Sequence, residues 1–277
     1  MPRSHPPTLV TLTKETLRQC AVGKDARVLV AVSGGRDSMA LLDVLASLSS
    51  KVGFELQAHG VDHGLREGAG AELEVASRFA KHRGIPFATT RVDVGAGGNL
   101  QARARRARYA ALEGAMKDVG ATTLATAHHA DDRAETVLIR LLRGAGAGGL
   151  HVLPPKSGHK LRPFIAATRA DIDAHVTRHA IPFCDDPSNA APRFLRTRVR
   201  NELLPLLRAL DPQIVSHLND LSDEVESVTS RETALPIARA TLDAVREALA
   251  DGQKETEIWL PGGLVLRRER THVRRSE

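Results

Sequence analysis

Apolar residues run along this chain in two rhythms. Val28-Leu29-Val30-Ala31-Val32 is short, continuous and rich in branched side chains, the pattern of a strand buried on both faces. Met39, Leu42, Leu45 and Leu48 then recur at helical spacing. The pairing repeats. A strand is predicted over Phe54 to Val61, then a helix carrying Leu73, Ala76, Phe79 and Ala80 and ended by Gly84 and Pro86. A strand at about 87–92 precedes a long helix capped by Asn99 and ended by Gly120, and a strand over Thr122 to Ala127 precedes a helix over 129–143. With a leading helix at 8–20, strand and helix alternate four times over 27–143. This predicts an α/β fold: a parallel sheet flanked by helices, which binds ligands beyond the carboxyl ends of its strands.

Past the glycine-rich run 144–149 the rhythm weakens. Short extended pieces flank Pro154-Pro155 and Arg162-Pro163-Phe164, and a helix is expected at 168–179. A basic helix is expected at 191–208, ending near Pro205. A largely helical stretch from Pro212 to Ala250, broken at Pro236, leads to a hairpin signal on either side of Pro261-Gly262-Gly263. The expected division is a catalytic domain over 1–210 and a small helical region with a basic tail over 211–277.

Composition narrows the class. The 277 residues are 42% hydrophobic, with no apolar run long enough to span a membrane and no apolar leader, so a cytoplasmic protein is expected. Two cysteines, Cys20 and Cys184, form no C-x-x-C pair, which excludes a locally held zinc knuckle or iron–sulfur cluster. The net charge of +6 gathers in arginine clusters at 103–108, 193–200 and 267–275, suited to a polyanion; a solvated basic surface would read the same way.

Chemistry concentrates where a predicted strand ends. Ser33-Gly34-Gly35-Arg36-Asp37-Ser38 joins a buried strand to a helix start, a place where backbone N–H groups and the helix dipole suit phosphate. The two glycines permit close approach, the serines add donors, and Asp37 either caps the helix or holds Mg²⁺. Neither the Walker loop nor G-x-G-x-x-G is present. A second cluster, His128-His129-Ala130-Asp131-Asp132-Arg133-Ala134-Glu135-Thr136, puts His128, Asp132 and Glu135 on one face if it is helical throughout. Acidic residues also simply complement a helix N-terminus.

The first stretch resembles the S-G-G-x-D-S loop of the PP-loop N-type ATP pyrophosphatases. The second, with Leu141-Leu142-Arg143-Gly144-Ala145-Gly146 after it, resembles a further motif of that superfamily. Adding Arg105-Arg106-Ala107-Arg108-Tyr109 and Asp186-Pro187-Ser188-Asn189, the chain from about 27 to 205 resembles the tRNA(Ile)-lysidine synthetase family. That resemblance implies ATP and Mg²⁺ held by Ser33, Gly34, Gly35, Arg36, Asp37 and Ser38, with Asp37 near the metal. It implies Arg108, His128, Asp132 and Glu135 at the reacting centre, and Asp132, Glu135 and Arg200 on substrates. The partners it implies are L-lysine and the isoleucine tRNA with a CAU anticodon, whose reading passes from AUG to AUA. A homodimer stays open. The alternatives are a PP-loop tRNA thiolase and a tRNA-binding protein without catalysis. Longer family members carry further C-terminal domains, and only about seventy residues follow the core here.

Overall fold

The computed structural model describes residues 7–64, 68–95, 97–98, 100–184 and 195–234, with side chains to 225, and the backbone of three strands between 256 and 276. Asn99 and Asp186-Pro187-Ser188-Asn189 lie outside the described residues. The chain divides into two compact units, Met1–Asp220 and Leu221–Glu277.

The first unit is built on a six-stranded sheet in the order β3-β2-β1-β4-β6-β5. Its strands are β1 (Arg27–Val32), β2 (Glu55–Asp62), β3 (Phe87–Arg91), β4 (Thr123–Ala125), β5 (Lys156–Ser157) and β6 (Lys160–Leu161). β1 pairs in parallel with β2 on one side and β4 on the other, and β6 continues the parallel array. Only the β5–β6 edge is antiparallel. The short pieces expected near Pro155 and Arg162 thus extend the sheet itself.

The helices of this unit are α1 (Leu9–Gln19), α2 (Arg36–Val52), α3 (Ala69–His82), α4 (Leu100–Asp118), α5 (Ala130–Leu142), α6 (Arg169–Arg178), α7 (Leu195–Arg198) and α8 (Leu204–Leu210). On one face α2 lays Met39, Leu42, Leu45 and Leu48 over Val28, Val30 and Val32, joined by Leu17 of α1, Ala76 of α3 and Ile172 of α6. On the other, Leu112, Ala115 and Met116 of α4 cover Leu29 and Leu124. Alternate residues of β1 thereby fill opposite cores, as the continuous apolar run requires. The strand order reverses direction between β1 and β4, which opens a crevice at their carboxyl ends.

Two elements depart from expectation. The helix after β4 starts at Ala130 with His129 as its cap, so His128 precedes the helix instead of lying on it. The basic helix does not stop at Pro205: a π-helical turn, Val199–Leu203, joins α7 to α8. Proline supplies no N–H to the preceding turn and its ring crowds the carbonyl there, and a wide turn ahead of it relieves both.

In the second unit, three strands, β7 (Thr256–Trp259), β8 (Val265–Glu269) and β9 (His272–Ser276), form an antiparallel sheet. The expected hairpin is its first half, with Trp259 opposite Val265. Helix α9 (Ile214–Ala234), which begins within the first unit, supplies the helical stretch.

Candidate active site

The β1–α2 turn is held open by its own small residues. Gly34 takes φ +82°, and an added Cβ would lie 2.6 Å from the Glu72 carbonyl oxygen of α3. Only glycine accommodates both the left-handed backbone and that approach. The Ser38 hydroxyl lies 2.8 Å from the Gly35 carbonyl, and it accepts from the Ser33 N–H at 3.1 Å. The Cys184 N–H binds the Gly34 carbonyl at 2.9 Å. Anchored so, the loop points the first turn of α2 at the crevice, where its N–H groups have no partner within the helix.

Two side chains of this turn are engaged by α6. Arg36 donates to Asp173 at 2.8 Å and lies 4.5 Å over the Phe183 ring, so its guanidinium is bound to the α6 side of the loop. Asp37 receives Arg169 Nη1 on both oxygens, at 2.5 and 2.6 Å. His129 Nε2 stands 3.8 Å from Asp37 and 3.5 Å from Asp132, bridging the turn to α5.

Across the crevice Asp132 and Glu135 act as one acidic unit. Glu135 is 1% exposed. Arg196 donates to Glu135 at 2.9 Å and to Asp132 at 3.0 Å. Arg200 donates to Glu135 at 2.6 and 3.0 Å and to Asp132 at 3.2 Å. Burial works to raise the Asp132 pKa, but the charges of His129, Arg196, His128 and Arg200 outweigh it and hold the group below the usual carboxylate range. Arg200 shows the reciprocal effect. Burial pushes it down, and the hydrogen bond and charge of Glu135, with the charges of Asp132 and Asp37, push it higher. Its position in the π-helical turn lets one guanidinium feel acids from both sides of the crevice.

Asp131 points elsewhere: it accepts from the Arg169 backbone N–H at 2.9 Å and pairs with Arg208. The neighbouring acids therefore divide, Asp131 to the structural contact with α6 and α8, Asp132 to the site.

His128 lies at the end of β4, its Nδ1 2.9 Å from the Thr126 hydroxyl. Its pKa is lowered to about 4, first by burial, then by Arg105, Arg162 and Arg108, against the opposing pull of Asp132. It is neutral at pH 7. Arg108, on α4, packs 5.4 Å from the Tyr109 ring with its Nε buried and without a hydrogen-bond partner. The structure thus brings His128, Asp132, Glu135 and Arg200 into one electrostatic group with Asp37, and sets Arg108 within reach of His128's charge. Arg169 and Arg196 were not among the residues expected from sequence. Only the density of arginine after residue 193 hinted at the second.

Comparison with known proteins shows the family and the fold. The PP-loop domain family model matches residues 9–207. The tRNA(Ile)-lysidine synthase of Ralstonia nicotianae is 38% identical over 85% of this chain and 54% of its own length. That of Geobacter sulfurreducens is 41% identical over 69% of this chain and 42% of its own. That of Thermobifida fusca is 37% identical, covering 78% and 68%. The chain spans about half the length of the first two. Among solved structures, the U34-tRNA thiolase NcsA of Methanococcus maripaludis superposes with a TM-score of 0.68 over 79% of this chain and 78% of its own, at 17% identity, which shows a shared fold. No helix among the described residues is long and apolar enough to cross a membrane. The glycine-containing turn after β1, the carboxyl-end crevice and the extent of these matches lead to one conclusion: the chain belongs to the PP-loop family, in its tRNA(Ile)-lysidine synthase group.

Proposed function

We propose that this chain adenylates the wobble cytidine of an isoleucine tRNA bearing a CAU anticodon and then joins lysine to C2 of that base, releasing AMP. The observation that supports the reading is the facing pair: a glycine-containing turn at the start of α2 and, beside it, two carboxylates held by cationic side chains. A site for ATP alone needs the first. A site that also takes an alkylammonium needs the second.

In the first step the cytidine O2 attacks the α-phosphate of ATP and pyrophosphate leaves. The turn's backbone N–H groups and the Ser33 and Ser38 hydroxyls neutralise the leaving phosphates. Asp37 fits Mg²⁺ as the single protein carboxylate, since this ion usually takes one or two carboxylates and fills its remaining positions with phosphate and water. Among the described residues no cage of three or more acidic, histidine or cysteine ligands competes with that mode. Bound there, the ion would supply further charge neutralisation, and Asp37 must release Arg169 to hold it.

In the second step the lysine ε-amine attacks C2. Asp132 and Glu135 already coordinate two guanidinium groups, so the pocket has the charge and donor-accepting geometry for one ammonium in their place. Ammonium near pH 7 must lose a proton before attack. His128 is neutral, and phosphate arriving among its arginine neighbours would offset the charges that add to burial in lowering its pKa, which makes it a better acceptor in the loaded site.

The test uses the purified chain with ATP, Mg²⁺, labelled lysine and isoleucine tRNA carrying CAU. The expected result is label on the tRNA with stoichiometric AMP. Pyrophosphate release with sulfur but no lysine incorporation would establish the thiolase reading. Binding of tRNA with neither product would leave a binding protein.

A further inference from the structure

Arg162 follows β6 directly and is 9% exposed. Its Nη1 donates to the Pro154 carbonyl at 2.7 Å, while its Nε is buried without a hydrogen-bond partner. Among the described residues no carboxylate lies within ion-pair distance of it, nor of Arg105 or Arg108 on α4. The adjacent Lys160 is the contrast. It pairs with Glu113 at 3.1 Å and caps the Tyr109 ring at 4.4 Å. Arg105 and Arg108 lie 5.1 and 5.4 Å from the same ring. Three guanidinium groups without acids thus gather around one tyrosine and His128.

A buried cation without a counter-ion is costly, and a fold normally supplies one. Burial, followed by the charges of Arg105 and Arg133, lowers the Arg162 pKa against the opposing influence of Tyr109, so the cost is felt within the site itself. After burial, the same three arginines also lower the His128 pKa, so the cluster carries a positive field suited to a ligand that brings negative charge. It cannot be the pyrophosphate site. That site lies at the N-terminus of α2, on the opposite face of the sheet from α4. Arginine's planar fork suits a phosphodiester, which presents two oxygens at a fixed angle.

We propose that Arg162, with Arg105 and Arg108, forms a second phosphate site that receives the RNA backbone beside the nucleotide being modified. This deepens the proposed function and rests on RNA being the substrate. It assigns Arg162 and Arg105 to positioning the RNA strand, with base recognition left to other groups.

The experiment measures binding of a stem–loop RNA with a CAU anticodon to the full-length chain across a salt series, with ATP binding in parallel. Arg162→Gln should weaken RNA binding about tenfold and lower the slope of log affinity against log salt by about 1, as loss of one phosphate contact does. The loss should be equal for a stem–loop of different loop sequence, because a phosphate carries no sequence. Arg162→Lys should restore the slope and part of the affinity. Arg105→Gln, on an exposed helix position, gives the same readout should Arg162→Gln fail to fold. ATP affinity should stay within about twofold. Without RNA, Arg162→Gln should melt no lower than the wild type, since the substitution removes an uncompensated charge. Unchanged RNA affinity and slope in Arg162→Gln and Arg105→Gln would overturn the proposal. So would a fall in ATP affinity with RNA binding intact, which would assign the cluster to the nucleotide. Lysine attachment is a separate readout. Its absence in a wild type that shows the predicted salt behaviour would remove the proposed function and leave this site standing.

Discussion

At the end of β1 the groups that meet the crevice are mostly backbone: the first turn of α2 and the glycines ahead of it, with two serine hydroxyls. At the end of β4 they are side chains, two carboxylates buried between Arg196 and Arg200. The first region is local. Every hydrogen bond that shapes it within the loop spans five residues or fewer. The second is assembled over distance, with Arg196 reaching Glu135 across 61 positions and Arg200 across 65. Backbone donors are fixed once the chain folds and suit an anion that must always bind in one place. Side-chain ion pairs can exchange partners, which suits a site that must admit a cation and let it react.

This contrast predicts its own largest break. Gly34→Ala sets a methyl 2.6 Å from a backbone oxygen at φ +82°, and neither the strand nor α3 can yield cheaply. The loop must move by a substantial part of an ångström, and ATP affinity and pyrophosphate release should fall about a hundredfold or more. A Gly34→Ala chain that folds and releases pyrophosphate at the normal rate would show that the turn does not hold the phosphates. Gly35→Ala is the control: its added Cβ would have its nearest neighbour, the Ser33 hydroxyl, at 3.5 Å, and it should be far milder.

The acidic side should separate the two half-reactions. Asp132→Asn and Glu135→Gln keep shape and remove the charge that favours ammonium. Lysine transfer should fall about 10- to 100-fold, the range for hydrogen bonds to charged groups, while tRNA adenylation persists. Excess lysine should recover part of the rate. Equal loss of both steps would assign these acids to ATP or metal, and the contrast between the two regions would fail.

These two regions also differ in how far the chain could be read before it was folded. The β1–α2 turn was legible because its determinants are contiguous: a buried run, two glycines, two serines and a helix start. The parallel sheet followed from the same periodicity, although β6 is only two residues long and carries no period. Asp132 and Glu135 were legible as residues three apart on a helix. Their partners were not, since nothing in the spacing of Arg196 identifies an acid 61 residues back. Arg169 was missed for the same reason, lying 132 residues from Asp37. Arg36 was expected on phosphate by its place in the motif, and the structure binds it to Asp173 and Phe183, elements whose position only the tertiary fold sets.

Arg196 gives a sharper, smaller test of the exchangeable side. Its guanidinium is 44% exposed and Glu135 is nearly fully buried, so losing it exposes the acid more than the base. Arg196→Gln should lower the melting temperature by a few degrees, equivalent to about 1–2 kcal/mol. Free lysine should then raise the melting temperature of this variant more than that of the wild type, because it supplies the missing cation without displacing one. A lysine effect equal in the two proteins would mean the amine binds away from this pair.

The smallest effect is a slope and tests whether the β4 side is as cation-rich as its contacts imply. His128 titrates near 4 when folded, against an ordinary value of 6.5. Between those pH values the unfolded chain binds a proton that the folded chain does not, so stability rises with pH across that window and is lost as pH falls from about 6.5 to 4. The slope from this one group is at most about 1.4 kcal/mol per pH unit. Asp132, held below the usual carboxylate range, contributes in the same direction but at lower pH, below its ordinary 3.8. The two limbs are therefore separable. Melting His128→Gln from pH 3 to 7 should flatten the upper limb and leave the lower one. Arg105→Gln should flatten the upper limb in part, because it removes one of the charges opposing His128 but not the burial that comes first. An upper limb in His128→Gln as steep as the wild type's would mean that His128 is not held neutral by its buried, arginine-lined position, and that the acid pair stands in a weaker positive field than its neighbours suggest.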